Sequence, residues 1–103
     1  MILYISGPIT ADTEHYKTKF DAAESYLMWK GHTVLNPAVH PHGLDDESYM
    51  DIDMAMIRAA DGIVMLKDWK NSGGAKRELN YALCCKKTVF FGIESVPVAM
   101  CDE

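Results

Sequence analysis

Glu78 is the position in this chain whose residue type fits its surroundings least. It stands three residues after Ala75 and four before Ala82, on or beside the apolar stripe of a predicted helix that must face a sheet. Glutamate is rarely buried without a partner, so it is either a solvated helix acid or a partly buried working carboxylate. Asp53 lies one turn before Ile57 on another predicted helix, beside that helix's apolar stripe, from which it can project into the same crevice as Glu78. With Asp51 and the acids of the preceding loop it can equally form a solvated face. Tyr4 falls in an apolar run near the N-terminus. Buried there, its hydroxyl needs a partner, and a carboxylate at the strand's end would serve. Ser72-Gly73-Gly74 opens the helix that carries Glu78; Ser72 is either a plain N-cap or part of a helix terminus that holds an anion or a sugar hydroxyl.

Other candidates carry less. Gly7-Pro8 is a tight turn or a close backbone approach to a ligand, and no Gly-x-Gly-x-x-Gly or Gly-Lys-Ser/Thr follows it, which removes the usual arguments for NAD and ATP. No cofactor is expected. His40 and His42 lack a third ligand at matching spacing, so no metal site is assigned. The three cysteines, with Cys84 and Cys85 adjacent in a helix and about 100° apart, read as buried thiols without chemistry.

The elements that must position these groups alternate regularly. Ile2 to Ser6 is an apolar run closed by Gly7-Pro8, hence a buried strand. From Asp12, Tyr16, Phe20, Ala23 and Leu27 recur at helical spacing to about Trp29, with Gly31 as a C-terminal cap and His32 to Leu35 as a second strand. Ala38 to Glu47 reads as a long exposed loop. Ser48 is expected to cap a helix with Met50, Met54 and Ile57 on one face, followed by a strand at Ile63 to Leu66 after the turn residue Asp61. Asp68 lies in the polar loop Lys67 to Gly74, as a solvent contact or a site group. A helix over Ala75 to Lys86 with Ala75, Leu79, Ala82 and Leu83 inward, a strand at Thr88 to Ile93, and a short edge strand over Val96 to Met100 complete the expectation. This is an α/β fold: a small Rossmann-like, flavodoxin-like three-layer sandwich with a parallel sheet of four to five strands. Such sheets bind ligands at the carboxyl ends of their strands. Those ends supply the candidate substrate-binding positions Gly7, Pro8, Ile9, Asn36, Ser72 and Gly74.

The chain has 103 residues, so the expectation is a single domain over 1–103. Hydrophobic residues at 49% and charged residues at 24% exclude a disordered or fibrous chain. Ten basic against fifteen acidic residues, a net charge of −5, with no basic cluster, argue against a nucleic-acid polymer as partner. The longest apolar runs fall far short of the roughly 20 residues of a membrane span. With no basic leader, the expected address is cytoplasmic.

In order, Tyr4-Ile5-Ser6-Gly7-Pro8-Ile9-Thr10, Asn36-Pro37, Asp53, Ala60 to Leu66 and Trp69-x-x-Ser72-x-Gly74-Ala75-x-x-Glu78 resemble the nucleoside 2-deoxyribosyltransferase-like superfamily. The likeness runs from Ile2 to about Ile93 and is nearest to its small phage- and prophage-associated branch of unknown function. The resemblance implies Glu78 as the nucleophile at the anomeric carbon of a nucleoside or nucleotide, Asp53 as the group handling the departing base's proton, Tyr4 as a hydrogen-bond donor to the nucleophile, and Ser72 at the sugar's 5′ end. On this reading Glu78 is ionised and Asp53 carries the raised pKa. Pro8 and Thr10 stand where the nucleotide-hydrolysing branch has a serine and an arginine for a 5′-phosphate, and Ser72 where the transferase branch has an aspartate. The implied function is cleavage or transfer at the N-glycosidic bond of a (deoxy)nucleoside or its 5′-monophosphate, by a homo-oligomer. A catalytically silent nucleotide-binding module of the same fold is the alternative.

Overall fold

The computed structural model describes residues 1–9 and 15–99. Four strands, β1 (Ile2–Ser6), β2 (Thr33–Leu35), β3 (Gly62–Met65) and β4 (Thr88–Phe91), form one parallel sheet in the order β2-β1-β3-β4. Three helices, α1 (Tyr16–Trp29), α2 (Asp46–Ala59) and α3 (Gly73–Cys84), connect them. Because successive strand side chains point to opposite faces, β1 divides its residues between two cores. Leu3 and Ile5 join Phe20, Ala23, Leu27 and Val64 on the α1 side. Tyr4 faces the other way and joins Ile57, Ile63, Met65, Ala75 and Ala82 beneath α2 and α3. The fold is therefore the expected Rossmann-like three-layer sandwich. Chain order reverses about β1, which pairs with β2 on one side and β3 on the other, so the β1 and β3 carboxyl ends mark the switch point where such sheets open a crevice.

Several local expectations are corrected. Asp45, not Ser48, caps α2: its Oδ1 accepts from the Ser48 backbone N–H at 2.7 Å, and Asp46 and Glu47 follow in the first turn, where acids suit the helix dipole. The predicted loop is interrupted by a 3₁₀ turn at Pro37–Val39, and a second such turn spans Trp69–Asn71. Leu83 is 55% exposed, because it lies on the far side of α3 from the sheet. Cys84 is exposed and Cys85 half-buried, since α3 turns those positions outward; Cys101 lies outside the described residues, as do Thr10 and the predicted start of α1 at Asp12. Asp68 is committed to an ion pair with Lys19 at 2.9 Å.

No fifth strand forms among the described residues. Gly92, at φ +88°, turns the chain out of β4 into a 3₁₀ turn at Ile93–Ser95. The following segment lies against the end of α1: Val96 is buried, the Lys30 ammonium donates to the Val96 carbonyl, His32 Nε2 meets the Pro97 carbonyl at 2.7 Å, and the Ala99 N–H donates to Lys30 O at 2.8 Å. Pro97 removes a donor that a strand would need.

The two long connections end alike but with different residues. After α1, Gly31 at φ +95° lets its own N–H reach Met28 O and the His32 N–H reach Leu27 O. After α3, Lys86 adopts φ +59° for the same pair of bonds, to Leu83 O and from Lys87 to Ala82 O. A side chain in this left-handed region costs about 1 kcal/mol relative to glycine. Lys86→Gly is therefore expected to raise the unfolding midpoint by a few degrees, read by calorimetry; an unchanged or lower midpoint would contradict this account of the α3 terminus.

Candidate active site

The amide end of α3 points into the crevice, and Ser72 holds it there. Its hydroxyl accepts from the Ala75 N–H at 3.0 Å, satisfying one of the four unpaired donors of the first helical turn. One and a half turns on, Glu78 is carried to the sheet and buried to 7% exposure. Both of its oxygens are held from β1. Tyr4 donates its hydroxyl to Oε2 at 2.9 Å, and Ser6 donates to Oε1 at 2.6 Å. Tyr4 and Ser6 are two apart in one strand, so the pleat turns both toward the helix that brings Glu78.

Asp53 approaches from α2, also 7% exposed. Its Oδ1 is 2.7 Å from His40 Nε2, and the His40 ring stacks on Tyr49 with centroids 6.2 Å apart and planes at 21°. Tyr49 is fixed in turn by its hydroxyl, which donates to the Pro41 carbonyl at 2.6 Å and accepts from the Leu44 N–H at 3.3 Å. The loop after β2 is thus tied down around His40.

Electrostatics act strongly on Glu78. Burial pushes Glu78 up from the ordinary 4.5 to about 8; the Asp53 charge acts in the same direction, while the hydrogen bonds from Ser6 and Tyr4 only partly counter it. The sequence leads to an ionised Glu78; its burial against the sheet instead favours the protonated form. Tyr4 is held well above the usual phenol range, first by burial and then by the charges of Glu78 and Asp53.

These groups open onto a crevice of about 860 Å³, within the usual size of a small-molecule site. Tyr4, Gly7, Ile9, Asp53, Ser72, Gly74 and Glu78 line it, as does His42. Pro8 and Asn36 do not. The Asn36 side chain is committed elsewhere: it donates to Asp21 and Glu24 at 3.1 and 2.9 Å and accepts from the Ala38 N–H at 2.9 Å. Gly7 is needed for packing, since a Cβ there would stand 3.0 Å from the Leu66 side chain. Among the described residues no group of three His, Cys, Asp or Glu is placed to hold a metal ion, and no helix is long and apolar enough to cross a membrane.

Sequence reasoning missed Ser6 and His40. Ser6 had a signal, because it shares the inward parity of Tyr4 at the strand's end. His40 had none in its spacing, since the fold of the loop brings it to Asp53.

A buried carboxyl whose pKa is raised on folding binds its proton more tightly in the folded than in the unfolded chain. Its contribution is fully present below about 4.5 and is lost as pH rises through about 8. The thermal midpoint of the parent is therefore expected to fall between pH 5 and 8 relative to that of Glu78→Gln, which lacks this titration. Equal slopes for the two proteins would refute the assignment.

No curated protein matches the chain in sequence. Solved structures that share its fold include two transferases. The 2-desoxiribosyltransferase from Leishmania mexicana superposes with a TM-score of 0.70 at 21% identity over 87% of this chain, which spans 62% of that enzyme's length. The 2-deoxyribosyltransferase from the psychrotolerant bacterium Bacillus psychrosaccharolyticus gives 0.72 at 22% identity, covering 88% of this chain and 71% of that one. Residues 1–91 match the family model described as Domain of unknown function (DUF4406), and the chain belongs to that family.

Proposed function

We propose that this protein cleaves or transfers the N-glycosidic bond of a (deoxy)nucleoside or its 5′-monophosphate, with Glu78 as nucleophile. The observation that carries the reading is the Glu78 carboxyl itself, buried at the switch-point crevice, held at both oxygens by hydroxyls and faced by a second carboxyl on α2. Two of the solved structures that share the fold are named as deoxyribosyltransferases, and the bacterial one is described as a biocatalyst for nucleoside synthesis.

The chemistry follows from one proton shared between two carboxyls. Burial opposes the charge of Glu78 and so favours its protonated form. Passing the proton to Asp53 makes an ionised nucleophile and an acid at once. A Glu78 oxygen then forms a bond to the anomeric carbon as the bond from that carbon to the base nitrogen breaks; the electron pair leaves with the base, and Asp53 supplies the proton the base needs. Asp53, now a carboxylate, next takes a proton from water or from the nitrogen of a second base as that atom attacks the anomeric carbon and releases Glu78 as carboxylate, giving free sugar or a new nucleoside with retained configuration and returning one proton to the pair. His40 orients Asp53 through their 2.7 Å contact. Ser72 and Gly74 at the α3 terminus meet the sugar's 5′ end, and Tyr16, Met50 and Tyr49 offer apolar and aromatic walls to the base.

The test is chromatography of a panel of ribo- and deoxynucleosides and their monophosphates after incubation with the protein, with and without a second free base. Base release or exchange is expected from the parent and a loss of at least about 1,000-fold from Glu78→Ala. Undiminished release by Glu78→Ala would overturn the mechanism, and saturable binding of intact ligand without turnover would make the protein a binding module instead. The pH profile gives a second check. Once the carboxyl pair loses its last proton no acid remains for the base, so kcat/KM is expected to decline on the alkaline side with a midpoint near 8. A rate still rising at pH 9 would show that the leaving base takes its proton from elsewhere.

A further inference from the structure

We infer that Ser6 is a positioning residue that clamps Glu78 Oε1 against the sheet, leaving Oε2 as the oxygen presented to the substrate carbon. The second half of this statement rests on the glycosidic reading above; the clamp does not.

The two hydroxyls that hold Glu78 differ in where they stand. Tyr4 lines the crevice, and its bond to Oε2 lies on the side from which a ligand arrives. Ser6, as fully buried as Tyr4, is not among the lining residues, so its 2.6 Å bond to Oε1 comes from behind. A carboxylate on a flexible glutamate side chain can turn about its last bond. With one oxygen pinned from the strand, that rotation is blocked and a single lone-pair face is aimed at the opening. The side chain performing this is minimal. Serine's Oγ reaches the carboxylate without filling the space between β1 and α3, and as a neutral donor it holds the charge without cancelling it.

The same geometry predicts an electrostatic consequence. A donor that bonds the ionised form favours it, and the Ser6 bond lowers the Glu78 pKa against the effect of burial. The other groups acting on Glu78 are Tyr4 from β1 and Asp53 from α2, with His40 behind Asp53 and Arg77 lining the crevice from α3. All of these are retained when Ser6 alone is changed, so a difference between parent and variant isolates the hydroxyl.

The experiment is a pH titration by NMR of intact protein labelled with ¹³C at the glutamate carboxyl carbons. The Glu78 resonance is identified by its loss in Glu78→Gln. In Ser6→Ala, which removes one oxygen and leaves the packing otherwise intact, the Glu78 midpoint is expected to rise by about one pH unit, and Ser6→Thr, which keeps the hydroxyl, should return it toward the parent value. The alkaline limb of kcat/KM should move up by the same amount, with kcat reduced about 10-fold or more and KM little changed, because orientation of the nucleophile and not ligand affinity is lost. An unmoved Glu78 titration in Ser6→Ala overturns the clamp. A shifted titration in Ser6→Ala, with a parent protein that turns over no member of the nucleoside panel, upholds the clamp and overturns the glycosidic reading. A KM effect with kcat unchanged overturns the assignment of Oε2 and makes Ser6 part of ligand binding.

Discussion

The whole arrangement depends on the burial of one carboxyl between α3 and β1. Taking a carboxyl from water into an apolar interface is costly unless its oxygens are satisfied, and here Tyr4 and Ser6 satisfy one each. That requirement reaches outward through the fold. The pleat of β1 must turn residues 4 and 6 the same way, while Leu3 and Ile5 build the opposite core. The α3 helix must begin close to the crevice, which the Ser72 cap secures, so that Glu78 falls within the second turn and on the sheet-facing stripe between Ala75 and Ala82. Shifting the helix by one residue would swing Glu78 by about 100° and strand both hydroxyls.

The second carboxyl is held by different means. Asp53 is on a helix whose start is fixed by Asp45 and whose inner face is pinned by Ile57, but its direct partner is His40 from a connecting segment. That segment is ordered by short-range devices: Asn36 caps the 3₁₀ turn at Pro37–Val39, and Tyr49 reaches back from α2 to the Pro41 carbonyl. A rigid sheet and helix therefore position Glu78, whereas a loop tied to its own neighbours positions the partner of Asp53. The division suits the proposed pair, in which one group attacks from a fixed direction and the other follows a moving proton.

Periodicity made most of the fold legible. Strand runs bounded by glycine and proline, and stripes at helical spacing, located all four strands and three helices to within a few residues, and the anomaly of an acid on an apolar stripe singled out Glu78. Reading failed where tertiary contacts outrank local pattern. Val96 to Ala99 alternates like an edge strand, yet Lys30 and His32 capture its carbonyls beside α1. Asn36 sits at a strand end where ligands bind, but its amide is drawn to Asp21 and Glu24 on α1. His40 carries no signal in a sequence, because nothing local specifies that its ring will lie on Tyr49 and meet Asp53.

The choice of hydroxyls as the partners of Glu78 is itself informative about the site. A lysine or arginine in their place would satisfy the same oxygens and hold the carboxyl ionised, but it would lower the carboxyl's proton affinity and spend its charge on a fixed ion pair. Neutral donors fix geometry and leave the proton affinity high. Burial and the facing Asp53 charge then raise Glu78 into the range where a proton can be exchanged near neutrality. A group serving stability alone gains nothing from this, since each effect that raises its pKa also makes the folded chain less stable once the carboxyl ionises. The stability given up at Glu78 is the consequence of keeping a carboxyl of high proton affinity at the wall of an open crevice, as the proposed nucleophile requires.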